Sequence, residues 1–452
     1  MTHRFAGTRH GLIALIAACA VGCTAAPPAP APDSVPAAPA MTPAPAPAPE
    51  TSPTPGEWGL LIFGDHGYDL RYLERDDYEP PLDRDGFIAK EREEWLEDKR
   101  PPGEFEPPAA TNHPNGGWVP ATGMRPVASA MTRHCLGAAR CDFAVMLGDN
   151  IYPKGATRGA DGHDDATRFE RVFREPFGAW QAWGPDFRIY VTLGNHDWKT
   201  SREAAMDQVA WLERTPPFYT DGIVYRVKPP AARGEAELFV IDTSVLLAGH
   251  DVYEDALGDD GREQVPTELE SQEPWTRPAN AAERDMVAWL ERSLADSTAR
   301  WKIVVAHHPL WSSAGSKYEQ AKVLRRLILP ALCRYADLYL AGHDHTLELH
   351  HDDCREALPG EQAKPLPTVV SGAASKQRAL NTNFMRHQAQ KYPQLRTDWA
   401  RGLVWGFAHL AVSSDAATLT FVETPDDGSG KAETVHVTRF ERRTAGRPEA
   451  DR

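Results

Sequence analysis

The chain has 452 residues, with 49 Lys and Arg against 64 Asp and Glu, a net charge of −15. Its 41% hydrophobic and 25% charged residues are those of a globular protein, which excludes a wholly disordered chain and a multi-span membrane protein. The acidic balance excludes nucleic-acid binding by bulk charge, and an anionic substrate would need a local positive charge, most cheaply a metal ion.

In chain order, Arg4, Arg9 and His10 precede an apolar stretch, Gly11 to Val21, too short to span a bilayer. It ends in Ala20-Val21-Gly22-Cys23, which resembles a bacterial lipobox. That resemblance implies a signal peptide over 1–22, a lipid on Cys23 and a lipid anchor to the membrane. Thr24, where Asp would retain the protein elsewhere, implies the outer membrane of the cell envelope, facing the periplasm or the surface. Residues 23–56 are mostly Pro and Ala and read as a semi-extended tether unable to bury a core. The folded part is expected over 57–433. Once Cys19 leaves and Cys23 is lipidated, Cys135, Cys141, Cys333 and Cys354 remain. An even number outside the cytosol suggests two disulfides, and Cys135–Cys141 with Cys333–Cys354 are the local pairings among three possible. Four free thiols are the alternative; a cysteine metal site would want a C-x-x-C spacing that is absent.

Five apolar runs then end in a small residue followed by a metal-type side chain. They are Leu60 to Asp65, Phe143 to Asp149, Ile189 to Asn195-His196, Ile303 to His307, and Leu338 to His343-Asp344-His345. Continuous apolar runs of this length read as strands buried on both faces, and ligands of open α/β sheets gather beyond the strand carboxyl ends. Taken singly, Asp after Gly is a turn residue, and a lone His is a satisfied core residue. The five together point to one shared centre. Strand-like alternation would put His343 and His345 on one side of an extended segment.

With these motifs on the page, the chain resembles the calcineurin-like metallophosphoesterases and, within them, the short tartrate-resistant type of purple acid phosphatase. Generic members carry D-x-H in the first motif, whereas here Gly67 stands two after Asp65 and Gly148-Asp149-Asn150-Ile151-Tyr152 supplies a tyrosine instead. The resemblance implies a four-layer αββα sandwich of two mixed β-sheets flanked by helices. It implies Fe(III) held by Asp65, Asp149, Tyr152 and His345. A second ion, Zn(II), Fe(II) or Mn(II), would be held by Asp149, Asn195, His307 and His343, with Asp149 bridging. Carboxylate with phenolate suits a trivalent ion, and imidazoles with an amide oxygen suit a divalent one. The implied activity is hydrolysis of a small phosphorylated substrate, a phosphomonoester, by a hydroxide generated on the metals, with a diester or nucleotide as the alternative. His196 would bind the phosphoryl oxygen or protonate the leaving group, with Asp197 either orienting it or capping a helix. His66 reads as packing or outer support.

Departures limit the resemblance. Trp198 follows Asp197 where the short mammalian enzymes carry histidine, and Gly315 and Ser316 stand where they carry a Glu-His pair. His308, Lys317 or Tyr318 could assist His196. Acidic, Pro-rich insertions at about 71–120 and 249–278 are expected at the surface, either as solvated loops or as a lid on the site. Met286, Trp289, Leu290 and Leu294 repeat at helical spacing, predicting a packing helix. Residues 434–452 are expected to fray, and the protein is expected to be a monomer.

Overall fold

The computed structural model describes residues 57–137 and 139–443. The signal segment, Cys23, the tether and residues 444–452 lie outside them. Each of the five apolar runs forms a strand: β1 (Glu57–Phe63), β2 (Phe143–Leu147), β3 (Ile189–Thr192), β4 (Trp301–Val305) and β5 (Leu338–Ala341). The first three run parallel in one seven-stranded sheet and the last two parallel in another. Phe218–Tyr219 joins the first sheet in parallel, Leu366–Ser371 and Ala236–Val240 join the second in parallel, and antiparallel neighbours complete both. Trp405–Ser413, Ala416–Thr424 and Glu433–Glu441 extend the first beyond β1, and Leu347–Asp352 and Leu395–Arg401 extend the second.

Alternation along these strands explains the layers. Leu60 and Ile62 of β1 meet Ile303 and Val305 of β4 and Leu338 and Leu340 of β5 in a core between the sheets. Leu61 and Phe63 point the other way, onto helix Met124–Leu136 and the Phe169–Phe177 segment. Val304 and Tyr339 pack outward on helices Met286–Asp296 and Tyr318–Tyr335. Both faces of the five central strands are thus apolar and covered, which is why they read as unbroken hydrophobic runs. The result is the expected four-layer αββα sandwich. Met286, Leu290 and Leu294 are buried on the predicted helix, while Trp289 only flanks that core.

The carboxyl terminus corrects one expectation. Glu433–Glu441 is an edge strand paired antiparallel to Ala416–Thr424, so the expected fraying is overturned over 434–441. Its apolar Val435 and Val437 face solvent, while His436 stacks on Trp399 at 5.0 Å, so the burial pattern is not visible in hydropathy. Arg443 then donates to the carbonyls of Leu332, Cys333 and Ala336, closing the end of helix Tyr318–Tyr335. Cations are favoured at that pole of a helix.

Cys135 is bonded to Cys141, and Cys333 to Cys354, with sequence separations of 6 and 21. The longer loop removes more freedom from the unfolded chain, about 3 kcal/mol against about 2. Replacing Cys333 and Cys354 together by Ala is therefore expected to lower unfolding free energy by about 3 kcal/mol in urea titrations. An unchanged midpoint under oxidising conditions would refute a structural role for that bridge.

Candidate active site

The carboxyl ends of β1, β2 and β3 meet those of β4 and β5, and each hands its next residues to the same spot. Three of them, Asp65 (φ 58°), Asp149 (φ 49°) and His343 (φ 69°), lie in the left-handed region that side chains disfavour. Such strain persists where surroundings over-determine it and clusters at functional sites. Here the surroundings are the other loops. Asp65 N–H donates to the Gly148 carbonyl at 2.9 Å, His343 N–H to Asp65 Oδ2 at 2.8 Å, and His196 N–H to Asp149 Oδ1 at 2.8 Å. Gly194 is required for this approach, since a Cβ there would lie 2.3 Å from Asp149 Oδ1.

The seven side chains form two sets that share Asp149. Tyr152 Oη lies 2.8 Å from Asp65 Oδ1, 2.9 Å from Asp149 Oδ2 and 3.1 Å from His345 Nε2. His307 Nε2 lies 3.3 Å from Asp149 Oδ1, 3.1 Å from Asn195 Oδ1 and 3.0 Å from His343 Nδ1. The two oxygens of Asp149 therefore face opposite sets. His307 Nδ1 pairs with the Leu147 carbonyl at 2.8 Å, which commits the proton there and leaves Nε2 a lone pair aimed into the centre. In each set more acceptors face one another than there are protons to bridge them. That donor chemistry fits two cations.

Electrostatics agree. Burial, reinforced by the charge of Asp149, pushes the Asp65 carboxyl well above its usual range. Burial also pushes Asp149 upward, but His307, His196 and two hydrogen bonds together outweigh it and hold it at about 2. Two buried carboxylates at this separation cannot both ionise cheaply without a cation. Burial and the two aspartates hold the Tyr152 phenol above its usual range. Burial holds His343 and His345 well below theirs, hence neutral and able to donate lone pairs.

Other site expectations are revised. His343 and His345 do not share a side: the left-handed turn at His343 splits the pair, so His343 joins His307 and His345 joins Tyr152. The Asp197 carboxylate makes no hydrogen bond to the His196 ring. It is buried and accepts from the backbone N–H groups of Asn150, Ile151 and Gly194, and from the Asn150 and Gln208 amides. Its expected role in orienting His196, or in capping a following helix, is replaced by organising the loop that carries Asp149 and Tyr152. His196 is instead held by the Pro153 carbonyl at Nδ1, 2.6 Å away, with Nε2 3.9 Å from Asp149 Oδ2. Burial lowers His196 to about 4. His66 is buried against Phe63, Phe173 and Phe177, away from the centre. Trp198 points into the core and donates to Asp242 Oδ2 at 2.9 Å. Tyr318 turns to the Ala256 carbonyl, and His308 pairs with Thr243 at 2.8 Å.

Both insertions border the centre. The first contributes helix α1 (Arg84–Glu97), whose Trp95 joins Phe105, Arg100 and His345 around a chamber of about 340 Å³. The second contributes Glu270 and Glu273 to a chamber of about 250 Å³ beside Asn195, His308 and His343. Its Trp275 indole donates to the Trp198 carbonyl, and Lys317 Nζ reaches Glu270 Oε1 at 2.7 Å. Lys376 and Arg378, which belong to none of the sequence motifs, also line the first chamber. Two basic residues just after Val370-Ser371-Gly372-Ala373, in so acidic a chain, were the signal available.

Gly67 explains how the first motif and the tyrosine go together. A Cβ at Gly67 would sit 1.9 Å from the Asn150 carbonyl oxygen, and Tyr152 N–H donates to the Gly67 carbonyl at 3.1 Å. No side chain fits where the Tyr152 loop passes. Gly67→Ala is expected to displace that loop and cut the metal affinity of the Tyr152 set by at least about tenfold, as loss of ligand support does. Metal titration of the variant checks this, and parent-like affinity would overturn it.

Comparison with known proteins agrees with this geometry. The family described as calcineurin-like phosphoesterase matches residues 113–347. The chain is 29% identical to tartrate-resistant acid phosphatase type 5 of Sus scrofa over 316 residues, covering 68% of this chain and 77% of the relative. The corresponding human protein is 29% identical over 325 residues, covering 70% and 82%. Purple acid phosphatase 17 of Arabidopsis thaliana is 29% identical over 242 residues, covering 52% and 59%. The chain belongs to the calcineurin-like phosphoesterase family, is similar to purple and tartrate-resistant acid phosphatases, and is a metal-dependent hydrolase of phosphoric esters.

Proposed function

We propose that the chain is a dinuclear phosphatase that hydrolyses phosphomonoesters. One observation carries the reading: Asp149 turns one carboxylate oxygen to Tyr152 and the other to His307, so one residue joins two complete ligand sets. Asp65, Asp149, Tyr152 and His345 would hold Fe(III), because a buried phenol beside two carboxylates gives up its proton only to a strongly charged ion. Asp149, Asn195, His307 and His343 would hold Zn(II), Fe(II) or Mn(II). When bound, such a pair supplies Lewis acidity toward phosphoryl oxygens and acidifies water. His196 contributes from the protein side. With Nδ1 committed to Pro153, its Nε2 is the atom that meets a phosphoryl oxygen or passes a proton to the leaving alkoxide.

In the same reading the enzyme is a monomer tied to the outer membrane through lipidated Cys23, with the Pro/Ala tract as its tether. The anchoring part rests on Ala20-Val21-Gly22-Cys23 alone. A diester substrate is the second reading. It is favoured by the two chambers, one beside His345 and one beside Asn195, which leave room for a substituent on each side of the phosphorus. Paired monoester and diester substrates separate the two, and a strong monoester preference removes the second.

Asp149→Asn keeps the shape of the bridge but lowers its charge. It is expected to cut p-nitrophenyl phosphate turnover by more than about a hundredfold, beyond what loss of an outer support costs, with an unchanged far-ultraviolet circular dichroism spectrum. Retained turnover in the folded variant would sink the dinuclear assignment.

A further inference from the structure

Three basic side chains line the chamber on the His345 side: Arg100, Arg378 and Lys376. Two are engaged. Arg100 pairs with Asp98 and donates to the carbonyls of Ala314 and Ala379, both at 3.4 Å. Arg378 pairs with Asp344 and donates to Ser316 Oγ at 2.9 Å. Lys376 makes no ion pair and no hydrogen bond among the described residues. Its ammonium lies 5.0 Å from the centroid of the Tyr68 ring and 4.9 Å from that of Tyr152.

The backbone on either side of Lys376 is fixed to the centre. The Ser375 hydroxyl donates to the Asp65 carbonyl and accepts from Tyr68 N–H at 3.2 Å. Arg378 N–H donates to the His345 carbonyl at 3.1 Å. Lys376 is thus carried between two residues of the Tyr152 set, with its stem half-buried and its head over the phenol that both carboxylates reach. Aromatic faces offset only part of the cost of removing an ammonium from water, so the arrangement wants an anion. Asp65 and Asp149 act on its charge from the centre, where ions held in the two sets would neutralise them, and Asp77 and Glu91 act on it from the first insertion. Neither Asp77 nor Glu91 forms an ion pair with the ammonium, so a phosphoryl group brought to those ions would be its direct counter-charge. The Glu-His pair of the short mammalian enzymes has no equivalent here, since Gly315 has no side chain and Ser316 is turned to Asp344 at 3.0 Å.

We infer that Lys376 is a substrate-binding residue, whose ammonium contacts the phosphoryl group from the His345 side while the alcohol of the ester lies in the chamber walled by α1. The inference rests on the phosphoesterase assignment and deepens it: it places the ester's two halves and gives this chain its own replacement for the missing polar pair. The Tyr68 and Tyr152 rings hold the lysine in place.

The test uses the metal-loaded chain and inorganic phosphate, titrated by calorimetry, on the parent, Lys376→Met, Lys376→Gln and Lys376→Arg. Met and Gln keep the stem's bulk while removing the charge, so either variant that melts like the parent carries the test. Losing a charged hydrogen bond should weaken phosphate binding by about ten- to a hundredfold at unchanged metal content, with Arg restoring most of it. The ratio kcat/KM for a monoester should fall in parallel. Phosphate affinity within about twofold of the parent in both neutral variants would overturn the inference, leaving the two-metal assignment intact. A parent that binds metals and phosphate but turns over no ester would instead count against the phosphatase reading, and the titration would still decide the role of Lys376.

Discussion

Asp65 and Asp149 are buried side by side, each within hydrogen-bond reach of the single hydroxyl of Tyr152. Everything else at this end of the sandwich follows from holding two like charges where water cannot separate them. The strands bring them there because their faces are apolar, and the energy of burying those faces is what can support strained ligand backbones. Backbone N–H groups from neighbouring loops absorb part of the charge: His343 for Asp65, and His196 for Asp149. The remainder calls for cations, and histidines kept neutral by burial stand ready to bind them.

The loop between β2 and the cis Tyr152-Pro153 bond shows how tightly the parts are coupled. Gly67 must lack a side chain for the Asn150 backbone to pass, Asn150 and Ile151 must bond Asp197, and Pro153 must offer its carbonyl to His196. Tyrosine in place of a histidine in the first motif is therefore not one exchange but a rearrangement shared by two loops. The insertions sit on this frame without belonging to it. One supplies the aromatic wall of Trp95 and Phe105, and the other latches to Trp198 and Lys317. They shape what can approach the phosphorus more than how it reacts.

The five central strands and the polar residues that end them were legible in the sequence because both rest on short-range chemistry, whereas the four-layer sandwich and the division of the ligands were implied only by the family resemblance. An apolar run declares a buried strand, and the Gly or Ala ending it declares a close approach. The mistakes came where a tertiary partner decides. Period-two reasoning placed His343 and His345 together, but a left-handed residue after β5 sends them to different sets. Proximity in sequence joined Asp197 to His196, whereas a carboxylate surrounded by backbone N–H groups goes to the greater number of donors. The Arg-rich end beyond Glu433 suggested fraying, whereas Glu433–Glu441 is held by its pairing with Ala416–Thr424. Lys376 carried no motif at all; its meaning lies in two tyrosine rings far away in the chain.

The account depends most on the claim that the seven convergent side chains hold two ions through a shared Asp149. Its most direct test is the metal content of the purified chain after loading with iron and zinc and removal of excess, measured by plasma mass spectrometry. About two ions per chain are predicted, as a two-metal hydrolytic site requires. A folded chain that retains less than about one ion under those conditions would contradict a two-metal centre.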